Sequence, residues 1–136
     1  MRILVIDAQG GGIGRQLVAQ IKRELPNFVV RAVGTNTTAT SAMLKAGADE
    51  AATGENAVVV GCREADVIVG PVGIAIADSM FGEVTPAMAV AVGQSKAKRV
   101  LIPFDNCNNI IAAPSLGNVS DLILRAVELI KNAAGT

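Results

Sequence analysis

The residues best placed to do chemistry lie in Asp7-Ala8-Gln9-Gly10-Gly11-Gly12-Ile13-Gly14, a glycine-rich turn between an apolar run and an apolar-periodic segment. Glycines in such a turn let the chain reverse tightly and let its backbone approach a ligand. The helix start that follows offers free N–H groups and a positive dipole end to a phosphate. Gln9, Gly10, Gly11, Gly12, Ile13 and Gly14 are therefore the first candidates for cofactor binding. The competing reading is that the glycines only let a helix pack close to a strand. Their position between strand and helix favours the phosphate reading. Arg15 is near enough to reach such a phosphate, although a solvated helix position suits it better.

Dinucleotide readers place Asp or Glu at the end of the second strand to hold ribose hydroxyls. Here that place is Gly34-Thr35-Asn36-Thr37-Thr38, which contains no acid. Ordinary NAD binding is disfavoured, and Thr35 and Asn36 become candidates for holding a 2′-phosphate or another anion. A helix cap is the plainer role for these polar residues. Gly70 and Pro71, closing a later strand, complete the candidate set. Glu55, Asp78 and Glu83 offer oxygens for a metal or for proton transfer, but their spacing matches no metal signature, so no metal is expected. Cys107, among asparagines, is the one plausible nucleophile, and a packing role suits it better because no activating neighbour is evident. The chain has no His, Tyr or Trp. That excludes a Ser–His–Asp triad, a Cys–His pair and imidazole metal ligands. No catalytic residue is assigned.

These groups need elements to position them. Ile3-Leu4-Val5-Ile6 reads as a strand covered on both faces. Ile13, Leu17, Ile21 and Leu25 mark the buried stripe of a helix that Pro26 stops. Phe28–Val33 reads as a second strand. Thr37 or Thr38 is expected to cap a helix running to Lys45, with Gly47 in its left-handed C-terminal position. Ala48–Ala52 follows as a short strand. Val58-Val59-Val60 favours a strand by β-branching, but a parallel sheet needs a crossover there, so Glu55–Ala65 is taken as helix. Asp66–Gly70 is a buried strand. Thr85-Pro86 starts a helix running to about Gly93. Arg99–Pro103 and a short Ile110–Ala113 are the last strands, and Asn118 or Ser120 caps a closing helix with Leu122, Ile123, Val127 and Ile130 inward. The alternation predicts one α/β domain over residues 1–136, a Rossmann-like three-layer sandwich with a mostly parallel central sheet. Its strand order should reverse between the first and fourth strands, where such sheets bind ligands.

Composition narrows the partners. Twelve basic residues balance twelve acidic ones with no basic block, so nucleic acid and anionic membranes are not expected partners. The longest near-apolar stretch, Val67–Ala77, is far short of the ~20 residues a membrane helix requires. The chain enters a strand at Arg2 without a charged leader, so a cytoplasmic location is expected. Cys62 and Cys107 suit reduced thiols. Hydrophobic residues make up 51% of a small chain, so a homo-oligomer is expected to bury part of that surface.

Gly12-Ile13-Gly14 resembles the glycine turn of short-chain dehydrogenases, departing from it at Ala8, where a glycine is expected, and at Asp7, where a threonine is usual. More broadly, Gly10–Gly14, Gly34-Thr35-Asn36, Ala46-Gly47-Ala48-Asp49-Glu50, Thr53-Gly54-Glu55-Asn56, Gly70-Pro71 and Gly82-Glu83-Val84-Thr85-Pro86 are similar to a family of short uncharacterised bacterial proteins. The resemblance covers nearly the whole chain. It implies a stand-alone cytoplasmic Rossmann-like unit and carries no activity. The expected function is a nucleotide- or phosphate-ligand-binding module, such as a sensor or regulatory subunit, with a nucleotide or dinucleotide as cofactor. Two alternatives stand beside it: a small enzyme for a phosphorylated or nucleotide substrate with a site shared between subunits, and a structural oligomer with a degenerate loop.

Overall fold

The structure, a computed structural model, describes residues 1–104, 109–113 and 117–135. Five strands alternate with five helices: β1 Arg2–Asp7, α1 Gly12–Glu24, β2 Val29–Gly34, α2 Thr37–Lys45, β3 Glu50–Thr53, α3 Glu55–Glu64, β4 Val67–Pro71, α4 Pro86–Gln94, β5 Lys98–Ile102 and α5 Val119–Gly135. A short 3₁₀ turn, Val72–Ala75, follows β4. All pairings are parallel. The order across the sheet is β3-β2-β1-β4-β5. From β1 the chain therefore builds outward through β2 and β3, then crosses back through α3 to β4 and builds the other way. The chain is an α/β protein of Rossmann-like architecture.

Two apolar layers enclose the sheet. On one face Ile3, Val5, Val30, Ala32, Val67 and Val69 meet Leu17, Val18 and Ile21 of α1, Met43 of α2 and Ile123, Val127 and Ile130 of α5. On the other, Leu4, Ile6, Val33 and Ile68 meet Val58 and Cys62 of α3 and Met88 and Val92 of α4. Alternate residues of β1 serve opposite faces, which is why that strand reads as an unbroken apolar run. The crossover helix lies close over β1, since a Cβ at Gly61 would sit 3.0 Å from the Leu4 side chain. Packing at that range explains a glycine in mid-helix despite its ~1 kcal/mol propensity cost. Val58-Val59-Val60 is helical because tertiary connection overrides β-branching.

Two local expectations are corrected. The cap of α2 is Asn36, whose side chain accepts from the Ala39 N–H at 2.9 Å, while Thr37 is the first helical residue. Asn36 has the extended backbone a cap requires, and its shorter reach to the third N–H places it ahead of the threonines. Ile110–Ala113 is not a strand. Ile110 is 90% exposed and Ala113 N–H turns back to Ile111 O at 2.8 Å, and the segment is not among the strands of the sheet. Among the described residues β5 is thereby an edge, as is β3. The first carries Lys98 and Arg99. The second carries Glu50, which pairs with Arg31 at 2.9 Å and Arg2 at 3.3 Å.

Among the described residues, no helix is long and apolar enough to cross a membrane.

Candidate functional site: the crevice beyond β1 and β2

Asp7 ends β1 with its side chain in the protein interior, 4% exposed. Its carboxylate accepts from Ala8 N–H at 2.8 Å and from Gly14 N–H at 2.6 Å. The N-terminus of α1 thus already faces a carboxylate of its own chain, which satisfies a helix-end donor and opposes the dipole. Burial raises the Asp7 pKa, the Gly14 and Ala8 N–H groups hold it back, and the charge on Glu83 pushes it further up.

The glycines divide into two kinds. A Cβ on Gly11 would meet the Ala39 backbone at 2.9 Å, and one on Gly14 would meet Met43 Sδ at 2.6 Å and Asp7 Cβ at 2.8 Å. Gly11 also has φ +72°. These two let α1 lie against α2 and β1, the packing role. Gly10 and Gly12 are exposed and have nothing within 4 Å of a Cβ, so no packing among the described residues calls for them. Ile13 is half-buried against the α1 face of the core. Arg15 is exposed.

One carboxylate gathers the remaining polar groups. Glu83, in the segment between β4 and α4, places Oε1 2.8 Å from Gln9 N, 2.7 Å from Thr35 Oγ1 and 2.8 Å from Asn36 Nδ2, all three donating. Asn36 Nδ2 also donates to Gln9 O at 3.0 Å, while its other side-chain atom caps α2. Thr35 N–H is fixed on Asp7 O at 3.1 Å. The glycine turn and the β2–α2 turn therefore share one network. Burial pushes Glu83 up, but the Gln9 N–H, the Thr35 hydroxyl and the Asn36 amide outweigh it and hold the carboxyl below the usual glutamate range. An oxygen ringed by one backbone and two side-chain donors from fixed elements is the coordination that binding sites give an anionic oxygen.

The segment that delivers Glu83 is an unusual one. Asp78, Met80 and Phe81 all have left-handed backbones, with φ of 64°, 56° and 58°, each costing on the order of 1 kcal/mol. Backbone bonds tie the segment to itself: Asp78 N–H to Val84 O at 2.7 Å, Gly82 N–H to Asp78 O at 3.1 Å and Glu83 N–H to Met80 O at 3.2 Å. Met80 and Val84 are buried in the α3/α4 layer, while Phe81 is 92% exposed. Thr85 then caps α4 by accepting from Met88 N–H and donates to Glu55 Oε1 at 2.6 Å.

Of the ten binding candidates, the structure brings Gln9, Thr35 and Asn36 into one network and sets Gly10 and Gly12 beside it with open surfaces. Gly70 and Pro71 are buried and take no part in the bonds to Glu83. A Cβ at Gly70 would run into the Ile6 carbonyl oxygen, so that glycine serves strand packing. Pro71 lines a crevice of about 20 Å³ with Ser79, Met80 and Phe104, large enough for a water and no more. Cys107 lies outside the described residues. Cys62 is buried and its thiol is pushed up to about 11 by burial, which leaves it inert as a nucleophile. Among the described residues no group of three or more His, Cys, Asp or Glu side chains converges. A concavity of about 560 Å³ lies elsewhere, between α3 and α4.

Glu83, a candidate in the sequence for holding a metal or moving a proton, stands here as the shared acceptor of Gln9, Thr35 and Asn36. The available signal was the missing acid after β2, together with an acid following a glycine in the loop after β4. Only the strand order unites them, across a separation of 48 residues.

A solved structure described as a dodecameric FMN-dependent Ubix-like decarboxylase from Escherichia coli O157:H7 is 18% identical, with alignment over 98% of this chain and 77% of that one at a TM-score of 0.45. Among curated proteins no match is found. The profile of a domain of unknown function, DUF3842, matches residues 2–135. With nearly its whole length covered, this chain belongs to the DUF3842 family.

Proposed function

We propose that this chain is a small Rossmann-like ligand-binding module that holds an anionic ligand, a nucleotide or another phosphorylated small molecule, in the crevice beyond β1 and β2. The observation that carries this reading is the convergence of Gln9 N–H, Thr35 Oγ1 and Asn36 Nδ2 on a single anionic oxygen. The open surfaces of Gly10 and Gly12 support it, because they leave the backbone approachable beside that cradle. The proposed site adjoins β1, one of the two strands that flank the reversal of strand order, where sheets of this kind bind ligands. A sensor or regulatory subunit is the role that fits a binding site with no conventional catalytic side chains.

The enzymatic alternative is less well served. Glu83 is held below the usual glutamate range, which makes it a weaker base, and Glu55 accepts from Thr85. Turnover of a phosphorylated substrate that disappears in Glu83→Gln would nevertheless establish it.

The test is calorimetric titration with AMP, ATP, NAD and inorganic phosphate, alongside Gly12→Phe and the Thr35→Ala/Asn36→Ala double variant. Gly12→Phe should fold, since Gly12 is exposed and a Cβ there meets nothing within 4 Å, and should lose binding by at least ~10-fold. The double variant should lose binding as well. A folded Gly12→Phe protein that binds as tightly as the parent would show that the site lies elsewhere.

A further inference from the structure

The cradle is not vacant: it holds the chain's own carboxylate. We propose that Glu83 is an internal stand-in for the ligand's anion, a side-chain plug that the ligand must displace in order to bind. The proposal rests on the reading of this crevice as an anion site and adds its regulation.

Three observations carry it. First, a single oxygen, Oε1, accepts all three donors, so one incoming phosphate or carboxylate oxygen could take over the whole set. Second, the three donors come from the glycine turn and the β2–α2 turn, whereas the acceptor comes from a separate segment. Removal of Glu83 therefore leaves the cradle's backbone in place. Third, that segment is fixed by its own backbone bonds and by the buried Met80 and Val84. Exchange thus needs only rotation of the Glu83 side chain, which is half-exposed at the crevice. The left-handed residues before it are maintained at a cost that makes sense if they aim this carboxylate. The buried Asp7 lies close enough to feel the Glu83 charge, so the plug is held by its donors against a like-charged neighbour.

A tethered plug reduces apparent affinity by the fraction of molecules it leaves open. If it fills the cradle ~90% of the time, its removal raises affinity ~10-fold. The experiment is titration of the parent chain, Glu83→Ala and Glu83→Gln with inorganic phosphate and with AMP, each protein first checked for cooperative thermal unfolding. The expected result is tighter binding in Glu83→Ala by about 10-fold or more, with Glu83→Gln intermediate because its amide oxygen still fits the donors without charge. Binding by the variants where the parent shows none would support the plug equally. Should Glu83→Ala fail to fold, Glu83→Gln alone decides. Unchanged or weaker binding in the variants, with the parent binding, would overturn the plug and leave the site assignment standing. No binding by any of the three would overturn the site assignment itself, and the plug with it.

Discussion

A methyl group added to the glycines of the β1–α1 turn would meet one of two fates, and that difference separates packing from ligand access. Gly14→Ala should destabilise the protein by about 1–3 kcal/mol, because its Cβ would press on Met43 Sδ and Asp7 Cβ, neither of which can withdraw without disturbing the core. Gly12→Ala should change stability by no more than about 0.5 kcal/mol. Urea unfolding of the two variants checks both expectations, and equal losses would mean that the turn has no open side. The carboxylates of the site differ in the same way. Glu83 has a folded-state pKa below its ordinary 4.5. It therefore adds stability that is present above about pH 4.5 and is lost as pH falls through the lower folded value. Asp7 runs the other way. Its folded pKa is raised above 3.8, so stability declines as pH rises from there until the native group has ionised. The stability gap between the parent and Glu83→Gln should be present at pH 7 and close below pH 4.5. A gap that widens in acid would contradict the bonding described for Oε1.

At the scale of elements, Asn36 joins two jobs that can be pulled apart. Its oxygen caps α2 and its nitrogen holds Glu83. Asn36→Ala loses both and should cost about 2 kcal/mol. Asn36→Asp keeps the cap but brings a carboxylate up to Glu83, so it should fall between the parent and the alanine variant at pH 7 and approach the parent in acid, as followed by thermal unfolding. The elements themselves were largely legible in the sequence. Apolar runs at Ile3–Ile6 and Val67–Val69 and the stripe Ile13, Leu17, Ile21 give strands and helix by periodicity alone. The crossover Glu55–Glu64 could be read only by combining local pattern with the demands of a parallel sheet. Ile110–Ala113 misled because β-branched residues signal apolar surface without saying whether a partner strand is within reach. For the site, Gln9, Thr35 and Asn36 were visible from their positions after β1 and β2. Glu83 was visible as a proton-transfer or metal candidate in the loop after β4, but its role as the shared acceptor of those three donors was not. Nor was the capture of α1 by Asp7, a strand-end acid whose partner lies seven residues on.

For the whole molecule, the two helical layers differ in what they leave uncovered. Between α3 and α4, Val59, Cys62, Ala65, Ala87, Val90 and Ala91 line the groove of about 560 Å³, and Val90 is 52% exposed. On the opposite layer Leu124 of α5 is 51% exposed. Surface of this kind on so small a chain supports the proposed homo-oligomer. Native mass spectrometry should find more than one subunit, and it would report any retained nucleotide-sized mass in the same spectrum. A clean monomer at micromolar concentration would remove the oligomer from the account without touching the crevice.

The charged margins of the sheet bear on how such an assembly would grow. Lys98 and Arg99 on β5, and Glu50 locked between Arg31 and Arg2 on β3, set ionic side chains where a neighbouring strand would have to dock. A strand from another copy would have to strip water from those charges before any ladder formed, and natural sheets use this device to discourage end-to-end polymerisation. Growth by ribbon extension is thereby disfavoured, and copies that associate are expected to meet helix against helix. Replacing Lys98 and Arg99 together by valine should increase fibre formation relative to the parent chain, as followed by thioflavin fluorescence and light scattering.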